Sequence, residues 1–128
     1  AFDDDGDAMI KADPLAHGDV VLARKDAPAS YHLSCTRDDA AMGVTHVLRG
    51  TDLRSVTDIH RLLQALLDLP SPAYRHHPLL VDAQGQRLAK RSGAIAIAAL
   101  RAQGMDPHAL ATDLRAGRFP VGIRPASA

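Results

Sequence analysis

Apolar positions along the chain switch between two spacings. The clearest segment is SVTDIHRLLQALLDL, residues 55–69, where Ile59, Leu62, Leu63, Leu66 and Leu67 recur at helical spacing. Ser55 or Thr57 can cap its start, and Pro70 and Pro72 forbid continuation. YHLSCTRDDAAM, residues 31–42, also reads as a helix, with Ser30 as cap and Gly43 as stop. Short β-branched runs flank these helices. DVVLAR (19–24) and VTHVLRG (44–50) predict strands, and HPLLVDAQGQRLAK (77–90) predicts a strand, a tight turn and a short return. AIAIAALRAQG (94–104) predicts a helix ended by Gly104. DPHALATDLRAG (106–117) frames another, with Asp at the N-cap, Pro at the first position and Gly117 after the end. Residues 1–18 are acidic and punctuated by Gly and Pro, and the tail FPVGIRPASA reads as irregular.

Strands alternating with helices of this length imply an α/β layer with parallel strands. The last third is more helical, as a small appended subdomain is. The expected organisation is an entry segment over 1–18, an α/β part over 19–92, and a helical subdomain with its tail over 93–128.

Composition narrows the chemistry. The 128 residues suit one modest domain. With two Phe, two Tyr and no Trp, the core must be aliphatic. Fifteen acidic side chains, all Asp, balance twelve Arg and three Lys, so binding to a polyanion must come from local patches. A single cysteine, Cys35, excludes a disulfide framework or a four-Cys zinc site within the chain and fits a reducing, cytoplasmic setting. No apolar run approaches the roughly 18–20 residues of a membrane span.

Four stretches carry candidate chemistry. GQRLAKRSG, residues 85–93, sets Lys90 between Arg87 and Arg91 in a glycine-bounded loop. It is either a solvated basic turn or a grip on a polyanion, for which a lysine on a flexible stem suits a growing phosphate charge. Arg49 closes a strand, where open parallel sheets bind ligands, and its fork suits a carboxylate; the plainer reading pairs it with Asp52 or another surface Asp. Tyr31 leads a helix and either points its hydroxyl into a cleft or sits half buried with a wet tip. Asp38 and Asp39 read as a helix face sooner than as a metal or base pair. Cys35 reads as a small apolar residue, not a nucleophile. His76 and His77 diverge and have no evident third partner for a metal, and His46 and His60 read as structural.

Taken in order, these blocks resemble a known family. A Tyr-led helix with an Asp–Asp pair, then MGVTHVLRGTDL, a long helix, and LPSPAYRHHPLLVDAQGQRLAKRSG are similar to the glutamyl-tRNA synthetase lineage of class I aminoacyl-tRNA synthetases, from about residue 19 to residue 105. The resemblance implies the second half of a Rossmann-like catalytic domain. RLAKR (Arg87, Leu88, Ala89, Lys90, Arg91) stands where the family carries its Lys-Met-Ser-Lys-Ser signature. Lys90 is thereby implied to contact ATP phosphates and steady the leaving pyrophosphate. Arg87 replaces the signature's first lysine and Ala89 its serine, so some loop contacts change. Tyr31 and Arg49 take the positions that hold the amino acid, here glutamate.

RGTDL in place of Arg-Gly-Glu-Asp-His, and Cys35 in place of an Asn, match the shortened branch of the lineage that transfers glutamate to the queuosine base of tRNA(Asp). The other acceptor is the terminal ribose of tRNA(Glu), and a non-catalytic domain that binds tRNA or a partner is the third reading. ATP with Mg²⁺ is the implied co-substrate, and Arg54, Arg61 and Arg91 are candidate tRNA contacts. The first class I signature, His-x-Gly-His, and the family's Cys/Tyr zinc ligands do not occur in these residues. The chain is therefore expected to be a fragment that does not catalyse alone, from a full-length form that is monomeric. Zinc is expected only in an upstream part, no metal site within this chain, and no membrane association.

Overall fold

The computed structural model describes residues 2, 9–89 and 96–126. The chain divides into two compact units, Ala1–His77 and Pro78–Ala128.

In the first unit, α1 (Tyr31–Ala41) begins where Ser30 Oγ accepts a hydrogen bond from the Leu33 amide at 3.4 Å. It ends at Gly43, whose φ of +66° is the left-handed turn that glycine makes without cost. The chain then enters β1 (His46–Gly50), passes a single 3-10 turn at Thr51–Leu53, and forms α2 (Thr57–Leu66). β2 (Ala73–His77) returns parallel to β1, in a register that pairs Val47 with Tyr74 and Arg49 with His76. This is the crossover that the alternating pattern predicts.

The departures have local causes. Residues 19–24 are not a strand. They run beside their own loop, with paired backbone bonds between Arg24 and Ala27 (2.8 and 3.2 Å) and the Ser30 amide bonded to Leu22 O at 2.7 Å. The β-branched run finds no partner strand there. Neither Ser55 nor Thr57 caps α2: the N-cap is Val56, and the Thr57 hydroxyl is used elsewhere. β2 begins at Ala73, ahead of the strand expected from residue 77.

The apolar stripe of α2 is only partly covered. Ile59 and Leu63 are buried with Tyr74 and Phe2, whereas Leu62, Leu66 and Leu67 remain exposed. The other inward positions are polar: Thr57, His60 and Gln64 from α2, Arg49 from β1 and Thr36 from α1. The centre of this unit holds at least as many buried polar side chains as apolar ones, which sets it apart from an ordinary core.

In the second unit, β3 (Leu80–Val81) pairs antiparallel with β4 (Arg124–Pro125), so the tail expected to be irregular supplies a short strand. Between them, Asp82 Oδ1 accepts from the amides of Gln84 (3.0 Å) and Gln86 (2.8 Å), closing the tight turn read from the sequence. The return leg bridges Val81 with Arg87. Helices α3 (Ile97–Ala102) and α4 (Pro107–Arg115) follow, the latter capped by Asp106, whose side chain accepts from the His108 amide at 2.9 Å.

Candidate functional site

Strand alternation puts Arg49 on the face of β1 that α2 covers, while Leu48 points away and is 68% exposed. Arg49 is 9% exposed. Its Nε–H donates to His76 Nε2 at 3.2 Å, Nη1 donates to His60 Nδ1 at 3.1 Å, and Nη2 donates to Thr57 Oγ1. Its Cζ lies 5.1 Å from the centroid of the Tyr74 ring, a cation–π contact. Tyr74 and His76 sit two residues apart on β2, so their rings share a face. They stack with planes 2° apart, and Tyr74 Oη accepts from Gln64 Nε2 at 2.9 Å.

Every hydrogen-bond partner of Arg49 among the described residues is neutral. A guanidinium only donates, so His60 Nδ1 must be a lone-pair acceptor and Nε2 must carry the proton. That proton points at His32 Nδ1, 3.2 Å away. Burial, then the Arg49 charge, then His32 push the His60 pKa down to about 4, so the ring is neutral at ordinary pH. The Thr57 hydroxyl donates to Leu53 O at 3.3 Å, and its oxygen lies 3.3 Å from His76 Nε2.

A guanidinium has five N–H donors. These contacts engage one on Nε and one on each Nη, and the neutral Tyr31 hydroxyl interacts with the same guanidinium. A guanidinium held by neutral groups alone keeps its charge for a carboxylate, which it can meet with two parallel bonds. Among the described residues the buried positive charge has no carboxylate within ion-pair distance, so an incoming anion would find it uncompensated. Arg49 thus engages neutral groups, not the Asp52 or other surface Asp of the plainer reading.

Tyr31, the first residue of α1, stands beside this group and is 54% exposed. Its ring centroid is 5.7 Å from that of His32 and 5.9 Å from that of His60. Burial and the neighbouring Cys35 raise the pKa of its hydroxyl, and the nearby Arg49 partly opposes them. Tyr31 also lines an open cleft with Val21, Ala29 and Ser30. Cys35 donates to Asp39 Oδ2 at 3.5 Å, and burial followed by that carboxylate raises its pKa; a thiol held protonated is a poor nucleophile.

The structure brings together Tyr31 and Arg49, which the sequence assigns to one ligand. Arg87, Leu88 and Ala89 belong to the second unit, where the Leu88 amide donates to Leu80 O at 3.0 Å. Lys90 and Arg91 lie outside the described residues. The residues that sequence reasoning missed are those housing Arg49: Thr57, His60, His32, His76 and Tyr74. Two spacings signal them, the Thr57–His60 interval of one helical turn and the alternation of Tyr74 and His76 on one strand face. Among the described residues no three His, Cys, Asp or Glu side chains group to hold a metal, and no helix is long and apolar enough to cross a membrane.

Residues 1–124 match the family model described as tRNA synthetases class I (E and Q), catalytic domain. A glutamyl-Q tRNA(Asp) synthetase of Rhodobacter capsulatus is 58% identical over 92 residues, covering 72% of this chain and 33% of the relative. Its counterpart in Symbiobacterium thermophilum is 50% identical over 95 residues, covering 74% and 29%. The chain therefore spans about a third of the length of such relatives. Among solved structures, a glutamate-tRNA synthetase of Elizabethkingia anophelis superposes with a TM-score of 0.53 at 33% identity, covering 59% of this chain and 15% of that one.

Proposed function

Given that the chain belongs to the catalytic-domain family of class I glutamyl- and glutaminyl-tRNA synthetases, we propose that it forms the glutamate-binding half of an ATP-dependent glutamate-activating enzyme. The product is passed to the queuosine base of tRNA(Asp). The observation that carries this reading is Arg49, a buried guanidinium with only neutral partners among the described residues. Arg49 takes a carboxylate of glutamate in a two-bond fork, and the Tyr31 hydroxyl borders the same ligand. In the activation step a carboxylate oxygen of glutamate attacks the α-phosphorus of ATP. The new O–P bond forms as the bond to the bridging oxygen breaks and pyrophosphate leaves, carrying its Mg²⁺ as part of the substrate. Positioning and charge stabilisation carry the rate. In this reading Lys90, with Arg87, Leu88, Ala89 and Arg91, forms the loop that steadies the phosphates. A cytoplasmic, monomeric full-length enzyme is the corresponding expectation.

The choice of tRNA(Asp) as acceptor is supported by RGTDL, by Cys35 and by the names of the relatives above. The test is glutamate-dependent ATP–pyrophosphate exchange, using protein from the complete gene with and without tRNA. We expect exchange without tRNA. Arg49→Ala and Lys90→Ala should each lower kcat/KM by about 10- to 100-fold, the loss expected for one charged hydrogen-bond set. Exchange only in the presence of tRNA would favour tRNA(Glu) as acceptor. No exchange under either condition would favour a domain that binds tRNA or a partner without catalysis.

A further inference from the structure

We infer that His60 is a positioning residue for the anion site: a neutral acceptor that aims the Arg49 fork without cancelling its charge. This rests on the glutamate-binding reading of Arg49 given above. The first turn of α2 delivers two side chains to one guanidinium. Thr57 and His60 are three residues apart on the same helix face, and they engage Nη2 and Nη1 respectively. His76 engages Nε from the neighbouring strand. Three directions are thereby fixed, and the plane of the guanidinium with them.

Geometry alone would also be met by an acid at position 60, and acids are the usual partners of buried arginine. A carboxylate there would neutralise Arg49 and repel the ligand. Imidazole supplies the same acceptor with no charge. Its far nitrogen also has a partner: in the tautomer that Arg49 requires, Nε2–H faces His32 Nδ1 at 3.2 Å. His60 is 2% exposed, so water cannot substitute for either contact. His32 comes from α1, two positions from Ser30 and adjacent to Tyr31. The relay thus ties the helix that presents Tyr31 to the arginine that shares its ligand.

Three replacements of similar size separate this role from simple packing, again in protein from the complete gene. His60→Gln keeps a neutral acceptor and a donor, His60→Glu keeps the shape and adds charge, and His60→Leu keeps the volume and has neither. KM for glutamate in the exchange reaction should stay within about 3-fold of wild type for Gln. It should rise about 30-fold or more for Glu, with KM for ATP unmoved, and about 10-fold or more for Leu, given charged hydrogen bonds of this size. A packing role predicts instead that Leu is tolerated and that Gln and Glu behave alike, and either result overturns the inference.

Imidazole ¹⁵N spectra of the wild-type protein provide a readout independent of activity. They should show His60 with Nδ1 bare and Nε2 protonated; the opposite tautomer overturns the inference. Arg49→Ala is the control for the underlying reading. If it leaves KM for glutamate unchanged, the glutamate assignment of Arg49 falls. If it raises KM while Gln and Glu remain alike, only the role of His60 falls.

Discussion

Single residues set the chemistry of the first unit, and His60 shows how. Its pKa is pushed down from the usual 6.5 to about 4. Between those values the unfolded chain binds a proton at this site that the folded chain does not. Stability is therefore fully present above about pH 6.5 and is lost as pH falls toward 4. The full loss is about 3 kcal/mol, since each tenfold change in proton affinity is worth about 1.4 kcal/mol. Arg49, His32 and Tyr31 face the ring, so a proton there would add a cation beside a cation. Urea denaturation of wild type and His60→Gln at pH 7 and pH 4.5 isolates the contribution of this group. Wild type should lose more stability than the variant over that interval, and equal losses would show that His60 does not hold its neutral form by folding. At this scale the sequence singles out residues more readily than it reveals their surroundings. Tyr31 and Arg49 stand out because their positions in ordered blocks resemble a family's, and the structure makes them neighbours. Their supports do not stand out, because Thr57, His60 and His76 owe their roles to a crossover that brings residues from two strands and two helices to one point.

At the scale of the element, punctuation is more legible than partnership. Ser30, Gly43, Asp106, Gly104 and Gly117 mark helix ends where the structure has them, because caps depend on nearest neighbours along the chain. The run at 19–24 looks like a strand by propensity, yet a strand needs a partner that only the fold supplies. β4 fails in the opposite sense: Arg124 and Pro125 have little strand propensity and pair because β3 lies open to them. Gly43 offers a clean test of the punctuation. A Cβ built there meets nothing within 4 Å, so Gly43→Ala carries only the cost of holding φ at +66°. That cost is about 1 kcal/mol for an L-residue in the left-handed region. Thermal unfolding should register it as a lowered Tm, with Gly43→Asn recovering part of the loss because Asn tolerates that region. An unchanged Tm for the Ala variant would mean that the turn after α1 relaxes to another conformation.

At the scale of the whole molecule, the apolar pattern exceeds what these residues cover. Leu48 is 68% exposed and Leu66 is 71% exposed, on β1 and α2, and Leu62 and Leu67 stand open beside Leu66. Among the described residues β1 and β2 form a sheet of two strands. In the second unit, Ile97, Leu100, Met105, Leu110 and Leu114 line a groove that is mostly apolar. Exposed apolar faces of this extent are a feature that soluble proteins ordinarily conceal. The helical period identifies the apolar stripe of α2, but period alone cannot tell a covered position from an uncovered one. The 128 residues expressed alone are therefore expected to self-associate, with sedimentation velocity showing mass rising with concentration. Leu48→Lys with Leu66→Lys should shift the boundary toward monomer, since charge on an exposed strand face and on an open helix face opposes pairing. Arg49 and His60 face the other side of β1 and the inner side of α2, so the double variant should leave the His60 imidazole ¹⁵N signals in place. A sharp monomer boundary for the unmodified chain at every concentration would mean that these leucines find cover within the chain itself.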